Sequence, residues 1–189
     1  MAFVVVYDAC VLYPAPLRDM LLRIARSGIV RARWSEEILD EVFDNLRKNR
    51  PELSPTSLLR TRQLVCDAVP DCLVANFSGL ADHLNLPDVR DRHVVAAAIR
   101  CSAQTIVTFN LKDFPESVLS PFGIEAIHPD DFVLDTLHLA PLAVASIVSQ
   151  QAAALRSPPV SLPHLLDTLR ACGLEQSVAK IHAMLGTSL

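Results

Sequence analysis

A chain of 189 residues that is 51% hydrophobic carries enough apolar side chain for one packed core with an appendage, which excludes extended disorder. Its net charge of −4 excludes a protein that grips nucleic acid over its whole surface. No apolar run approaches the roughly twenty residues of a membrane-crossing helix. The amino terminus has no basic segment and reaches an acid at Asp8, and the five cysteines stand singly, so a signal peptide, a disulfide framework and a zinc site are not expected. The expectation is a cytoplasmic protein with reduced thiols and no membrane partner.

Phe3-Val4-Val5-Val6-Tyr7 reads as a buried first strand with Asp8 at its C-terminal end. Pro14 and Pro16 mark a loop, after which Leu17, Leu21, Ile24 and Ala25 recur at helical spacing until Gly28. Ile29 to Trp34 reads as a second strand. Ser35 then caps a helix with Glu36 and Glu37 in its first turn and an apolar stripe of Ile38, Leu39, Val42, Phe43 and Leu46. At 100° per residue Glu41 falls about 60° outside that stripe, in a direction that can run along the sheet edge toward Asp8. Glu37 is the second choice.

Residues 18–62 hold ten Arg or Lys against seven Asp or Glu, a local +3, and fourteen of the seventeen basic residues in the chain are arginine. Arginine suits bidentate phosphate contacts, although codon composition explains the same bias. Pro51 and Ser54-Pro55 precede a helix through roughly Cys66, and Cys72-Leu73-Val74 is a short apolar run. Residues 75–87 carry no clear period.

Asp88 and Asp91 open the next predicted helix three residues apart, which puts both carboxylates on one face of its first turn, where the helix dipole favours their ionised forms. Val94 to Ile99 supply its buried body. Thr105-Ile106-Val107-Thr108-Phe109 reads as an interior strand, with Asn110 and Asp113 just past its C-terminal end. Gly123 to Ile127 reads as the last strand, and His128-Pro129-Asp130-Asp131 opens a helix. The alternation implies parallel strands with right-handed crossovers.

From about Leu137 charge thins to Arg156, Arg170 and Lys180 against Asp167 and Glu175, with a break at Ser157-Pro158-Pro159 and helical runs on either side. The chain therefore divides into an α/β domain over residues 1–136 and a helical extension over 137–189.

Asp8, Glu41, Asp91 and Asp113 can be placed around one sheet edge from separate segments, with Asp88 an adjacent or alternative member. Taken singly, each has an ordinary structural reading: a turn cap, a helix-start acid or a solvated charge. Taken together they repel unless protons or a cation compensate. Hard oxygen ligands suit Mg²⁺ or Mn²⁺, ions that activate water and stabilise charge on phosphodiester oxygens. His93 reads as a structurally satisfied histidine and Cys10 as a packed thiol without an adjacent base. No phosphate-cradling glycine loop and no nucleophile elbow is present.

Four pieces, Val4 to Leu12, the helix of Glu41, Asp88 to Asp91 with Val94 to Ala98, and Ile106 to Phe114, together resemble a PIN domain, and more narrowly a VapC-type toxin ribonuclease of bacterial toxin–antitoxin pairs. They span residues 3–133. The resemblance implies a three-layer α/β/α sandwich around a mainly parallel sheet, and a Mg²⁺- or Mn²⁺-dependent endoribonuclease that leaves a 5′-phosphate and a 3′-hydroxyl. It further implies an RNA substrate, a cognate antitoxin and a homodimer. Asp8, Glu41 and Asp91 match the first three acids of the family. Asn110 stands where many members carry the fourth, leaving Asp113 to serve, so the implied catalytic set is Asp8, Glu41, Asp91 and Asp113, with Asp88 added as a metal ligand. Cys10 replaces the Asn or Ser that often follows the first Asp by two residues. Asn110 and Cys10 keep open a non-catalytic module that binds RNA or protein, and a structure-specific DNA nuclease on the same fold is a further alternative.

Overall fold

The computed structural model describes residues 3–156 and 158–186, so Ser157 of the expected break lies outside the described residues. In chain order the elements of the sheet domain are β1 (Phe3–Tyr7), α1 (Ala9–Leu12), α2 (Ala15–Arg26), β2 (Val30–Ser35), α3 (Glu36–Asn49), α4 (Pro55–Ala68), β3 (Leu73–Val74), α5 (Ser78–Ala81), α6 (Arg92–Arg100), β4 (Thr105–Val107), α7 (Glu116–Leu119) and β5 (Glu125–Ile127). The helices α8 (Pro129–Leu139), α9 (Pro141–Ala154), α10 (Leu162–Ala171) and α11 (Glu175–Gly186) follow.

All strand pairs are parallel, in the order β3-β2-β1-β4-β5. Val5 pairs with Ala32 on one side and with Thr105 on the other. Val5, Val6 and Tyr7 are fully buried, as an interior strand covered on both faces requires. Tyr7 stacks on Trp34 with ring centroids 6.3 Å apart and reaches the Leu21 carbonyl with its hydroxyl. On α3, Ser35 Oγ accepts from the Ile38 amide at 3.2 Å, and the whole predicted stripe is buried. The helix α6 packs on β1, β2 and β4, while α2 packs on β2 and on α9 and α10, giving a three-layer α/β/α sandwich with helices added at its C-terminal end.

Three local differences from the expectations have identifiable causes. The turn α1 precedes the expected Pro14–Pro16 loop, and α2 already starts at Ala15 with Pro16 in its first turn; four residues are too short to register as a period, and α1 is started by Asp8, whose carboxylate accepts from the Ala9 amide. The strand expected over 105–109 stops at Val107, because the Asn110 amide is taken by Thr108 Oγ1 at 3.0 Å instead of continuing the ladder. Val89 to Asp91 form a 3₁₀ turn ahead of α6, so Asp88 caps that turn and does not share an α-helical face with Asp91.

The C-terminal helices are fastened to one another and to the sheet. Asp130, only 4% exposed, accepts from the Gln176 and Ser177 amides at 2.9 Å each and from Ser177 Oγ, capping α11 from α8. Gly173, at φ +92°, approaches Phe109 so closely that a Cβ there would lie 3.0 Å from the ring. Among the described residues no helix is long and apolar enough to cross a membrane.

Candidate active site

The strand order reverses direction at β1, with β2 on one side and β4 on the other, and in open parallel sheets a ligand crevice lies outside the carboxyl ends of strands at such a switch point. Asp8 directly follows β1 and Thr108 directly follows β4. They meet: Thr108 Oγ1 donates to Asp8 Oδ2 at 2.7 Å, Cys10 Sγ donates to the same oxygen at 3.0 Å, and the Ala9 amide donates to Asp8 Oδ1 at 2.7 Å. Burial pushes the Asp8 carboxyl up more strongly than these donors pull it down, and the charge of Glu41 adds to the rise. Burial, then the Asp8 charge, pushes the Cys10 thiol up to about 12, so it stays a neutral hydrogen-bond donor, consistent with a packed thiol.

Glu41 projects from α3 into the same cleft, which has a volume of about 440 Å³ and is also lined by Asp8, Asp91 and Asn110. Its Oε1 lies 3.1 Å from His93 Nε2 on α6. Burial alone would lower the His93 pKa, but the hydrogen bond and charge of Glu41 outweigh it, and the net shift is upward. The Asp91 carboxyl is raised to about 6, first by burial and then by the charges of Asp8, Asp88, Asp113 and Glu41. These acids therefore sit within each other's electrostatic reach.

A second cleft, of about 430 Å³, adjoins the first and shares Glu41, Asn45, Asp91 and Asn110 with it. Asp88 and Asp113 line this cleft only. Asp88 is engaged by Arg90, whose amide and guanidinium both donate to it and pull its carboxyl below the usual range. Asp113, half-buried in a 3₁₀ turn beside Asn110, faces the second cleft. Thus Asp8, Glu41 and Asp91 come together, and Asp88 and Asp113 stand one cleft further out.

Five of the ten basic residues of 18–62 are engaged by groups of the same chain. Arg18 donates to the Leu12 and Tyr13 carbonyls, and Arg23, Arg47, Arg50 and Arg62 pair with Asp19, Asp44, Glu52 and Glu36 with Asp40 respectively. Lys48 from that segment lines the second cleft, joined by Arg90 from outside it. Sequence reasoning passed over Thr108, Tyr13, Asn45 and Asn49. The two asparagines carry a usable signal, for they follow Glu41 at steps of four along α3.

The donor set suits a hard divalent cation: carboxylate oxygens that raise one another's pKa are the arrangement a cation relieves. Among the described residues no three Asp, Glu, His or Cys side chains are already gathered closely enough to hold a metal ion.

A parallel three-layer sheet with acids gathered beyond its switch point defines the class: an α/β/α protein with an acidic cleft at the carboxyl edge of its sheet. The chain belongs to the PIN-domain family, whose model matches residues 4–112. A second model, described as the VapC50 C-terminal domain, matches residues 129–183, from the start of α8 into α11. Over 80 residues the chain is 48% identical to a protein of Mycobacterium tuberculosis (strain ATCC 25618 / H37Rv) named "Putative ribonuclease VapC50", a stretch that covers 42% of this chain and 47% of that protein. The match thus spans about half the length of that relative. No solved structure matches the chain.

Proposed function

We propose that this chain is a divalent-metal-dependent endoribonuclease and the toxin of a toxin–antitoxin pair, cutting RNA in the cleft beyond β1 and β4. The observation that carries this reading is the meeting of Asp8, Glu41 and Asp91, from β1, α3 and the start of α6, on one cleft. PIN-domain membership and the name of the mycobacterial relative support it.

Asp8, Glu41 and Asp91 would hold Mg²⁺ or Mn²⁺, with Asp113 joining from the adjoining cleft and Asp88 joining once it exchanges Arg90 for the ion. When bound, such an ion lowers the pKa of water and neutralises charge on phosphoryl oxygens. Thr108, Cys10 and the Ala9 amide orient the Asp8 carboxylate, and His93 orients Glu41. Lys48 and Arg90 are placed to meet phosphates. Cleavage leaves a 5′-phosphate and a 3′-hydroxyl. In this reading residues 1–136 do the chemistry and residues 137–189 buttress it, the protein works in the cytoplasm as a homodimer, and an antitoxin restrains it.

The test is incubation of the partner-free protein with bacterial RNA and Mg²⁺ or Mn²⁺, with 5′-end mapping, beside a chelator control and Asp8→Asn. Discrete new ends that vanish in both controls are expected. Asn110, an amide where the family often has a carboxylate, favours one second reading, a non-catalytic binder. RNA bound equally with and without chelator, and never cut, would decide for it.

A further inference from the structure

We propose that Tyr13, Asn45 and Asn49 form a nucleobase subsite beside the carboxylates, which reads one base of single-stranded RNA flanking the cut phosphate. This deepens the RNA-cleaving reading above and rests on it. All three residues line the same 440 Å³ cleft as Asp8, Glu41 and Asp91, a volume within the range of small-ligand pockets.

The wall is built from two elements that meet. Glu41, Asn45 and Asn49 follow one another at four-residue steps and so share one face of α3. This stripe starts at the acids and leads outward along the cleft. Tyr13 stands in contact with it, at the end of α1, which packs on α3. Tyr13 is held at both ends: Arg18 Nη1 donates to its carbonyl at 3.1 Å and to the Leu12 carbonyl at 2.7 Å, while Asn49 Nδ2 donates to its hydroxyl at 3.3 Å. Tyr13 packs against the core and also lines the cleft.

The chemistry of this wall suits a base better than a phosphate. None of the three side chains carries a charge, and the cations Lys48 and Arg90 lie in the adjoining cleft. An aromatic ring offers a stacking face to any base. A carboxamide offers a donor and an acceptor side by side, the pattern that pairs with base edges. Asn49 spends one donor on Tyr13, whereas the exposed Asn45 amide has no hydrogen-bond partner among the described residues. Base edges are open to such contacts in single strands, whose bases can be splayed out, and not inside an RNA duplex. The uncharged and the cationic sides of Glu41 thus divide the work, with the base read on the Tyr13 side and the backbone met on the Lys48 side.

The test compares cleavage of a single-stranded oligoribonucleotide carrying one mapped cut with the same oligonucleotide made abasic at each flanking nucleotide in turn. Wild type, Tyr13→Ala, Tyr13→Phe and Asn45→Ala are measured under kcat/KM conditions. One abasic substrate is expected to lose at least about tenfold in kcat/KM for the wild type, mainly through KM. Tyr13→Ala then cuts intact and abasic substrates at one rate, that of the wild type on the abasic one, and Tyr13→Phe restores most of the difference. Asn45→Ala, an exposed change that leaves the core untouched, flattens the preference among the four bases at that position. Equal cleavage of intact and abasic RNA by the wild type overturns the subsite alone, as does a Tyr13→Ala that slows both substrates by one factor. Absence of any cleavage by the folded wild type in Mg²⁺ or Mn²⁺ overturns the nuclease reading and the subsite with it.

Discussion

The hydroxyl of Thr108 donates a 2.7 Å hydrogen bond to Asp8 Oδ2, joining the ends of two neighbouring strands that are 100 residues apart in the chain. The same hydroxyl accepts from the Asn110 amide, so one side chain sets both the Asp8 carboxylate and the turn that carries Asn110. Thr108→Val keeps the shape and removes the donor to a buried carboxylate. We expect a loss of about 1–3 kcal/mol in urea unfolding, a still higher Asp8 pKa and slower cleavage. Unchanged stability would show that the bond contributes nothing.

Asp8→Asn retains the size of the side chain and removes the anion. Divalent cations should no longer raise the melting temperature, and RNA cleavage should fall to background, while circular dichroism stays that of the wild type. A variant that still cuts would remove Asp8 from the site.

Asp91 supplies a pH prediction. Its folded pKa, about 6, lies above the ordinary 3.8, so the charged form is disfavoured by folding. The resulting penalty is fully present above pH 6, is relieved as pH falls from 6 toward 4, and is absent below that. Without divalent cations the protein should therefore melt higher at pH 5 than at pH 7, and Asp91→Asn should be the more stable protein at pH 7. Solvent screening reduces the gain to about 1 kcal/mol, or roughly 2–4 °C. The same variant should bind Mn²⁺ more weakly, a stability gained at the expense of function.

His93 and Glu41 connect α6 to α3 through a 3.1 Å contact in which the histidine side chain is 17% exposed and the glutamate 41%. His93→Ala frees the Glu41 carboxylate, and Mn²⁺ affinity measured by calorimetry should drop about 10–100-fold. His93→Gln, which can place a donor near the original Nε2, should recover part of it. Equal affinity in all three proteins would make the pair incidental.

Asp130→Ala removes a buried carboxylate that accepts three hydrogen bonds at the start of α11. A loss of about 2 kcal/mol is expected, with limited proteolysis cutting first within residues 137–189. An unchanged digestion pattern would mean that α11 is held by its apolar face alone.

Much of the fold was legible because its signals are local. The β-branched run ending at Tyr7, the Ser35 cap with the α3 stripe, and the stop at Gly28 each follow from residues within a few positions of one another. The four-residue α1 and the early end of β4 were not legible, since one depends on a cap that also lines the cleft and the other on a threonine hydroxyl that captures a backbone amide two residues on, a contact that leaves no periodic signal.

Sequence by itself determined that strands and helices alternate, that acids fall at strand ends and helix starts, and that Asp8, Glu41, Asp91 and Asp113, with Asp88 beside them, are those to consider, because periodicity and capping are read along the chain. Only the tertiary structure decided which acids share a cleft, that Asp88 is occupied by Arg90, that half of the basic residues of 18–62 are engaged by neighbours in the chain, and that Thr108, Tyr13, Asn45 and Asn49 face the site. The physical reason is range. Burial, mutual charge and side-chain hydrogen bonds depend on distance in space, and the strand order that places β1 beside β4 brings together residues that the chain keeps about a hundred positions apart.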